Sequence, residues 1–224
     1  MTDPDHGPAA PRAAAGASLT GDETIGLPEF DAPPADPVAL LRRWLAAAEE
    51  HGVREPRVMV LATADGAGHA SSRVLLLKGV EGETLVFTSH TGGRKGHDIA
   101  ETQWASMNFY WRETLQQITV SGPVRMLPDE RSDALFAERP VAAQATTSVS
   151  DQGADLLDEA ALHAHAEKLI GLGQPLTRPG GWAGYGLTPH LIEFWHGRAS
   201  RLHRRLEYRR AGSGPAWTTR RLQP

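Results

Sequence analysis

The sequence predicts an α+β fold that is mainly β, with an antiparallel sheet that closes into a barrel or packs as a sandwich. Three observations predict this class. Five β-rich runs with tight turns fall between residues 57 and 126, which is typical of antiparallel strands. Helical periodicity is found in one segment before them and within residues 129–172. Strand-like sequence returns at residue 182, so both halves are expected to build one domain.

The N-terminal segments differ in composition from the rest of the chain. Residues 1–17 are rich in Ala, Pro and Gly and hold few large apolar side chains. We expect a disordered tail there, because such a segment cannot offset its ordering entropy by burial. Residues 18–35 are Pro-rich and are expected to form an extended arm over the domain surface. The predicted single folded domain covers residues 36–224.

The first helix is predicted to begin at Asp36-Pro37. Asp is a favoured N-cap residue, and Pro suits the first helical position. The residues that then recur with helical spacing are Val38, Leu41, Trp44, Leu45 and Ala48. Gly52 is a natural C-terminal stop for this helix.

The remaining elements follow from periodicity and turn residues. The predicted strands cover residues 57–63, 69–78, 84–89, 104–111, 115–126, 182–195, 203–210 and 216–222. Turns that contain Gly are predicted at residues 65–68, 79–83 and 212–215. Two helices, at residues 129–138 and 155–172, are predicted between the two groups of strands.

Composition excludes several classes of function. Hydrophobic residues make up 40% of the 224, enough for a packed core. The absence of cysteine excludes disulfides, thiolate metal sites and cysteine nucleophiles. A net charge of −4 argues against a nucleic-acid partner. No apolar run could span a bilayer and no signal-peptide pattern is present, so we expect a soluble cytoplasmic protein with no membrane partner.

Positive charge is concentrated near the C-terminus. Residues 198–221 contain eight arginines and one histidine but a single acid, Glu207. Such a segment either binds a local anionic ligand or forms a solvated strand that faces acidic groups elsewhere. The pattern alone slightly favours the second interpretation.

A loop with the composition of a phosphate cradle covers residues 89–96, Ser-His-Thr-Gly-Gly-Arg-Lys-Gly. It follows a predicted strand and is expected to open a helix, whose N-terminus offers free N–H groups and the positive end of a dipole. Arg94 and Lys95 add charge, and the glycines permit close approach of a ligand. A basic surface loop explains the same residues at least as well.

Two strand segments carry polar residues suited to a ligand. Arg73 and Lys78 bracket an apolar run, and their spacing of five places them on opposite faces of a strand. Gln117 lies near the start of another predicted strand. A buried amide both donates and accepts, which suits the edge of a heterocycle such as flavin. Ordinary surface residues explain either segment when it is taken alone.

Residues 193–205 form the most suggestive local pattern. Arg201, His203 and Arg205 follow the aromatic pair Phe194-Trp195, and their spacing of two places them on one face of a strand. Three potential cations on one face repel each other unless an anion or an acidic element faces them.

Spacing identifies neither a metal site nor an acid–base pair. His163 and His165 are two residues apart on a predicted helix and do not face each other, so no metal is expected. The difficult chemistry would then come from a cofactor.

Taken together, these segments resemble the pyridoxamine 5′-phosphate oxidase family. The resemblance covers residues 36–224, in family order and with family-like spacing. Its pieces are REPRVMVLATAD, SSRVLLLK, FTSHTGGRKGHDI, QQITVSG, ERP, EFW and RLHRRLEYRR followed by RRLQP. The resemblance implies an FMN-binding split β-barrel with flanking helices, and a homodimer with two FMN sites at the subunit interface.

The resemblance also implies roles for individual residues. The implied cofactor-binding residues are Arg73, Val74, Leu75, Leu76, Lys78, Thr88, Ser89, Arg94, Lys95, Gln117, Gln152, Trp195 and Arg205. Those that would reach the flavin from the other subunit are Gln117, Gln152, Trp195 and Arg205. The implied substrate-binding residues are Lys78, Leu135, Arg139, Ala143, Arg201 and His203, of which Arg201 and His203 are candidates for a catalytic role.

The implied substrate pocket departs from that of the vitamin-forming members of the family. Leu135 stands where those enzymes have Tyr, and Ala143 where they have Ser. A hydrogen bond to a charged group is worth roughly 1.5–3 kcal/mol, so losing two weakens phosphate binding by on the order of a hundredfold or more. The pocket keeps cations but is more apolar, which suits a flat ring system that bears carboxylates. Gly153 also replaces a Ser that contacts the cofactor.

A narrower resemblance is to the phenazine-biosynthesis oxidases of the family. It rests on SLTG at 18–21, ADP at 35–37, TSH at 88–90, YWRET at 110–114 and the segment at 147–152. It implies FMN-dependent dehydrogenation of a partly reduced phenazine carboxylate, with O₂ as electron acceptor and H₂O₂ as product. Whether other enzymes of the pathway make transient contacts with the protein stays open at the level of sequence. Lys78 departs from this subgroup.

Alternatives remain open at the level of sequence. A pyridoxine/pyridoxamine 5′-phosphate oxidase that makes pyridoxal 5′-phosphate is consistent with Lys78. A non-catalytic flavin- or haem-binding split-barrel protein would bind its ligand without oxygen-dependent turnover. A deazaflavin-binding relative is disfavoured by Trp195 and the Arg-Leu-His segment at 201–203.

Overall fold

The computed structural model describes residues 19–212, 214 and 216–224. The predicted disordered tail at residues 1–17 lies outside these ranges, as do residue 18 and two positions of the predicted turn at 212–215. The fold is α+β and mainly β, as the sequence predicts.

Along the chain, two groups of strands are separated by a block of three consecutive helices. The strands are β1 (Val58–Ala64), β2 (Ala70–Leu76), β3 (Gly79–Glu81), β4 (Thr84–His90), β5 (Trp104–Trp111), β6 (Gln116–Met126), β7 (Trp182–Leu187), β8 (Leu191–His196), β9 (Arg204–Arg210) and β10 (Trp217–Leu222). The helices are α1 (Pro37–Glu50), α2 (Arg94–Thr102), α3 (Asp129–Ala137), α4 (Val141–Val149) and α5 (Glu159–Ile170), with a 3-10 turn at Pro28–Phe30. None of these helices is long and apolar enough to cross a membrane.

The strands pair in antiparallel fashion and join into one network. Strands β10, β9, β8, β6, β5, β1 and β2 lie side by side in that order, while β4 and β7 continue from the far end of β6. Strand β6 serves both parts because residues 116–121 pair with β8 and residues 124–126 pair with β7. This division of one long strand is the split in the barrel.

Helix α1 packs into the main core of the barrel. The Asp36 side chain accepts hydrogen bonds from the N–H groups of Val38 and Ala39 at 2.8 and 3.0 Å, and a cap of this kind is worth about 1 kcal/mol. Trp44 then meets Phe194 edge-on, with 5.0 Å between ring centroids. Side chains alternate between the two faces of the sheet along β5, β6 and β8. Every second residue therefore points into the core, and the residues between them lie on the outer face.

Several predicted element boundaries are wrong. Strand β2 ends at Leu76, and residues 79–81, predicted as part of a turn, pair with β4 around Gly82, whose φ is 56°. Residues 182–195, predicted as one strand, form β7 and β8. The strand is interrupted between β7 and β8, where the segment around Thr188 passes close to Gly122. A Cβ atom on Gly122 would lie 2.0 Å from the carbonyl oxygen of Thr188.

Three further differences concern helical structure. Helix α4 follows directly after Pro140, and the sequence patterns give no separate helix there. Helix α5 starts at Glu159 rather than at residue 155, because the Asp158 side chain caps it by accepting a hydrogen bond from the Ala161 N–H at 2.9 Å. The arm, predicted as extended, includes the 3-10 turn.

Candidate active site

The predicted phosphate cradle lies where β4 ends and α2 begins. Helix α2 starts after Gly93, which provides no side-chain cap. Gly96 is required by a close approach, because a Cβ atom at this position would lie 2.0 Å from the carbonyl oxygen of Thr91. Ser89 and Lys95 are buried, whereas Arg94 is exposed. The prediction that this loop opens a helix is confirmed.

Arg73 lies on the core-facing side of β2, where its partner in β1 is Leu61. Its guanidinium donates to the Leu61 carbonyl oxygen at 3.1 Å, to Thr63 Oγ1 at 2.8 Å and to Ser71 Oγ at 2.6 Å. Three acceptors therefore fix the position of this cation.

The fixed position of Arg73 depends on Asp98, a residue that sequence reasoning missed. Asp98 is buried in α2, and its Oδ2 accepts from Thr63 Oγ1 at 2.6 Å and from Ser71 Oγ at 3.2 Å. Each hydroxyl thus links the guanidinium to the carboxylate. The one signal in the sequence is an Asp one helical turn after Arg94, which by itself is too common to be informative.

The cradle and its surroundings carry more positive than negative charge, with Arg73, Arg94 and Lys95 close to the single carboxylate of Asp98. Burial lowers the pKa of Lys95, and the nearby charge of Arg73 lowers it further. Burial also lowers the pKa of Arg73, while Asp98 opposes this shift and Arg94 adds to it. The pKa of His90 is lowered by burial and then by Lys95 and Arg139. Each shift disfavours a positive charge, so an anion bound among these groups would relieve the cost.

Gln152 covers the cradle from the connection between α4 and α5. Its Oε1 accepts a hydrogen bond from Lys95 Nζ of the same chain. The assignment of Gln152 to the partner's flavin site therefore stays a prediction. The neighbouring Gly153 has a φ of 102°, a conformation that favours Gly.

Three of the predicted cofactor residues form a row on the outer face of the sheet. Gln117 pairs with Trp195, and Trp195 pairs with Arg205, so the register brings them side by side across β6, β8 and β9. Their neighbours Ile118 and Phe194 are buried, which places the row on the opposite face from the core.

Arg205 is held by an acidic residue of the adjacent strand. Its Nε and one Nη donate to the two carboxylate oxygens of Glu193 at 2.7 and 3.0 Å. This hydrogen bonding raises the pKa of Arg205. Other arginines of the basic segment are also paired, Arg204 with Asp31, Arg210 with Glu83 and Arg220 with Glu207. The solvated-strand interpretation therefore holds for much of the segment.

The prediction that Arg201, His203 and Arg205 share one face of a strand is wrong. Strand β9 begins at Arg204, and Arg201 sits in a turn with a φ of 67°, an uncommon conformation for a non-glycine residue. The ring of His203 nevertheless lies against Trp195, with 4.8 Å between centroids. His203 Nδ1 accepts from the N–H of Arg198 at 3.1 Å, so a neutral ring carries its proton on Nε2.

Arg139 lies on an aromatic wall near the cradle. Its guanidinium carbon is 5.1 Å from the Trp182 ring centroid and 5.9 Å from that of Phe136, and it donates to the Ala143 carbonyl oxygen at 3.0 Å. Leu135 is only 1% exposed and packs in the cluster that contains these two aromatic residues. Ala143 is half-buried.

The other predicted site residues lie around the second strand. Val74 and Leu76 are exposed on its outer face, while Leu75 packs against the core. Lys78 follows the strand rather than lying in it, and its backbone N–H donates to the Val86 carbonyl oxygen at 2.8 Å. Thr88 lies half-buried in β4.

A cleft of about 690 Å³ adjoins the cradle and runs along α4 and α5. His90, Thr147 and Asp151 are among the residues that line it. Among the described residues, the side chains of Lys78, Arg94 and Arg201 have no hydrogen-bond or ion-pair partner, and no group of three or more His, Asp or Glu residues is arranged to hold a metal. The structure thus offers cations and an aromatic surface at the candidate site.

Two family models match the chain. One, described as pyridoxamine 5′-phosphate oxidase, covers residues 45–173. The other, described as the pyridoxine 5′-phosphate oxidase C-terminal dimerisation region, covers residues 182–224. Together they span the barrel and the C-terminal strands.

Individual relatives are similar over most of the chain. A dihydrophenazinedicarboxylate synthase from Burkholderia lata is 45% identical over 92% of this chain and 97% of its own length. A second one, from Pseudomonas chlororaphis, is 41% identical over 92% of each chain. A pyridoxine/pyridoxamine 5′-phosphate oxidase from Paraburkholderia phymatum is 38% identical over 93% of this chain and 98% of its own.

Solved structures agree with the sequence relatives. The structure of PhzG from Burkholderia lata 383 in complex with tetrahydrophenazine-1-carboxylic acid is similar with a TM-score of 0.88, at 45% identity, over 91% of this chain and all of that one. A pyridoxamine 5′-phosphate oxidase-related FMN-binding protein from Nostoc punctiforme shares the fold alone, with a TM-score of 0.66 at 18% identity. The split barrel and the matched models together establish that this chain belongs to the pyridoxamine 5′-phosphate oxidase family, whose members are oxidoreductases.

Proposed function

We propose that this protein is an FMN-dependent oxidase that dehydrogenates a partly reduced phenazine carboxylate in phenazine biosynthesis, with O₂ as electron acceptor and H₂O₂ as product. The observation that carries the proposal is 45% identity over 92% of the chain with a dihydrophenazinedicarboxylate synthase. Uncompensated cations in the candidate site support it, since both the cofactor phosphate and the substrate carboxylate are anions.

The cradle fits the phosphate of FMN. Lys95 is buried beside a second cation, Arg73, and Ser89 adds a buried hydroxyl nearby in β4. Lys95 has only the neutral partner Gln152, and a phosphate between Lys95 and Arg73 would satisfy the buried charge with strong hydrogen bonds. Thr88 and Arg94 flank this position.

A homodimer with FMN at the interface is supported by the two faces of the sheet. Arg73 lies on the core side, whereas Gln117, Trp195 and Arg205 lie on the outer side. These two groups of residues lie on opposite faces of one sheet. A flat ligand can contact both groups if one protomer provides Arg73 and its partner provides the outer row. The outer face also exposes an apolar patch that suits such an interface, formed by Val60, Val74, Leu76 and Tyr110.

When bound, the flavin would accept a hydride from the substrate and would then be reoxidised by O₂. The residues of the chain bind and orient the substrate. Arg139, Arg201 and Lys78 bind carboxylates. Leu135 and Ala143 contribute no hydroxyl, which disfavours a substrate phosphate. His203 presents Nε2–H for orientation or proton transfer, and aromatisation of the substrate removes the need for a strong base.

A second candidate function is a pyridoxine/pyridoxamine 5′-phosphate oxidase. The specific observation in its favour is Lys78, an unpaired cation beside the second strand, together with 38% identity to such an enzyme.

Anaerobic bleaching of the flavin tests the proposal. The purified protein is mixed without oxygen with a reduced phenazine carboxylate or with pyridoxine phosphate, and the visible flavin absorption is followed. We expect bleaching by the phenazine and recovery in air with release of H₂O₂. Bleaching by pyridoxine phosphate alone would establish the vitamin oxidase instead. A colourless protein, or one that neither compound bleaches, would indicate a non-catalytic binding protein.

A further inference from the structure

A short strap at residues 19–24 crosses the tip of the hairpin between β5 and β6. The Asp22 N–H donates to the Glu113 carbonyl oxygen at 2.8 Å, and Arg112 Nε donates to Thr20 Oγ1 at 3.2 Å. Gly21 makes the crossing possible, since a Cβ atom there would lie 2.0 Å from the Arg112 carbonyl oxygen. The strap is therefore anchored to the sheet before it reaches the C-terminal loop.

Glu23 joins this strap to the loop at residues 197–203. Its Oε2 accepts from the Ala199 N–H at 2.7 Å, and its carbonyl oxygen accepts from the Arg198 guanidinium at 2.9 Å. The two bonds come from adjacent loop residues, so Glu23 holds the loop at two points. In sequence the partners are 175 and 176 residues apart.

The same loop is also hydrogen-bonded to Arg201 and His203, two of the predicted substrate-binding residues. The Arg198 N–H donates to His203 Nδ1 at 3.1 Å, and the Arg198 carbonyl oxygen accepts from the Arg201 N–H at 3.0 Å. Arg201 has its φ of 67° inside this turn, a conformation that surrounding contacts must maintain. Releasing the loop at Ala199 would therefore loosen the turn that holds Arg201 and His203, even with the bond from Arg198 to the Glu23 carbonyl oxygen retained.

We infer that Glu23 is a positioning residue that fixes the orientation of His203 and the turn at Arg201, because its side chain holds the Ala199 N–H and its carbonyl oxygen holds the Arg198 side chain. The inference rests on the proposed function for what these two residues bind. It assigns a role in the site to the N-terminal arm. Glu23 itself contacts neither substrate nor cofactor and acts only through the loop.

The test compares Glu23→Ala and Glu23→Gln with Glu50→Ala in the full-length, flavin-loaded protein. Glu50 is a suitable control because it is exposed at the end of α1. We measure amide hydrogen exchange of Ala199, the ¹⁵N shifts of the His203 ring, flavin affinity, and KM and kcat with whichever substrate the wild type oxidises.

In Glu23→Ala we expect Ala199 exchange to accelerate roughly tenfold or more and the Nε2–H tautomer of His203 to lose its preference. KM should rise roughly tenfold, with flavin affinity unchanged. Glu23→Gln keeps an acceptor oxygen and should recover part of each effect, and Glu50→Ala should match the wild type.

Unchanged exchange and unchanged ring shifts in Glu23→Ala would overturn the inference. Faster exchange with unchanged KM, kcat and ring shifts would also overturn it, because the strap would then be structural only. If the wild type oxidises neither substrate, the proposed function fails, and the exchange rates and ring shifts still decide whether Glu23 orients His203.

Discussion

The cradle and the basic C-terminal segment are both rich in cations, but most of the cations are paired with acidic side chains only in the C-terminal segment. In the cradle, Lys95 is buried beside Arg73, and the pKa of Lys95 is lowered by burial and by that neighbouring charge. In the C-terminal segment, Arg205 has a two-point ion pair with Glu193 that raises its pKa. The number of positive residues is thus a poor guide to an anion site. The presence or absence of an acidic partner is more informative.

Within each region, only some of the charged residues are free to meet a ligand. Asp98 lies beside the cradle but reaches Arg73 only through hydroxyl groups, so it orients the cation without forming a direct ion pair with it. Among the described residues of the C-terminal segment, the side chains of Arg201 and Arg221 have no hydrogen-bond or ion-pair partner, and Arg201 lies in a turn rather than in the strand. An anionic ligand would therefore gain most from the cations that lack an acidic partner.

The largest effect is expected for Lys95→Met. This substitution removes a buried cation from the proposed phosphate site, and a charged hydrogen bond is worth roughly 1.5–3 kcal/mol. We expect FMN affinity to fall by about a hundredfold, measured by titration of flavin fluorescence.

Arg94→Met is the matched control for this prediction. Arg94 is adjacent in sequence but exposed, so solvent screens its charge and we expect a loss of about fivefold or less. Equal losses for the two variants would mean that burial does not distinguish the cations, and the comparison between the two regions would fail. Circular dichroism checks that Lys95→Met remains folded.

A second prediction concerns His196, a side chain in the C-terminal region that is fully buried in its neutral form. Neither ring nitrogen has a hydrogen-bond partner of normal geometry among the described residues, although the Asp22 backbone lies close enough to favour the protonated ring weakly. Burial, with Arg198 and Arg204 adding to it, lowers its pKa from 6.5 to about 4, while Asp22 and Glu23 oppose the shift. The unfolded chain therefore takes up a proton at a higher pH than the folded one. Stability is fully present above pH 6.5 and is lost as the pH falls toward about 4.

Chemical denaturation at pH 7 and pH 5 measures this contribution. Linkage gives about 2 kcal/mol of lost stability at pH 5 from this one group. His196→Gln should reduce the difference between the two pH values by that amount, whatever it does to stability at pH 7. His165→Gln, at an exposed position, should leave the difference unchanged. An identical pH dependence in His196→Gln and the wild type would show that His196 does not titrate as inferred.

Local signals predicted much of the fold. Asp36-Pro37 gave the start of α1, and the turn residues between 57 and 126 gave most of the first strands, because caps and turns depend on neighbouring residues. Strand β3 and the break between β7 and β8 were missed because pairing and the close crossing at Gly122 involve distant segments.

The candidate site shows the same difference between local signals and contacts of distant segments. The loop at 89–96 was identifiable because its charge and its helix start lie in one continuous stretch. The ion pair between Arg205 and Glu193 depends on the register of two strands, and the contact of Glu23 with the C-terminal loop joins the two ends of the chain. Sequence spacing carries no information about such pairs.

The smallest effect is expected for Ser71→Ala, which tests how precisely Arg73 must be held. Ser71 Oγ accepts from the guanidinium at 2.6 Å, while Thr63 and the Leu61 carbonyl oxygen remain as acceptors in the variant. Ser71 affects FMN only through Arg73, which keeps two acceptors, so we expect only part of the roughly 1.5–3 kcal/mol of a charged hydrogen bond and a fall in FMN affinity of about threefold to tenfold. Ser72→Ala is the matched control, because the next residue points to the exposed outer face. A larger loss in Ser72→Ala than in Ser71→Ala would mean that the outer face, and not the hydroxyl bridge to Asp98, sets the affinity of the cradle.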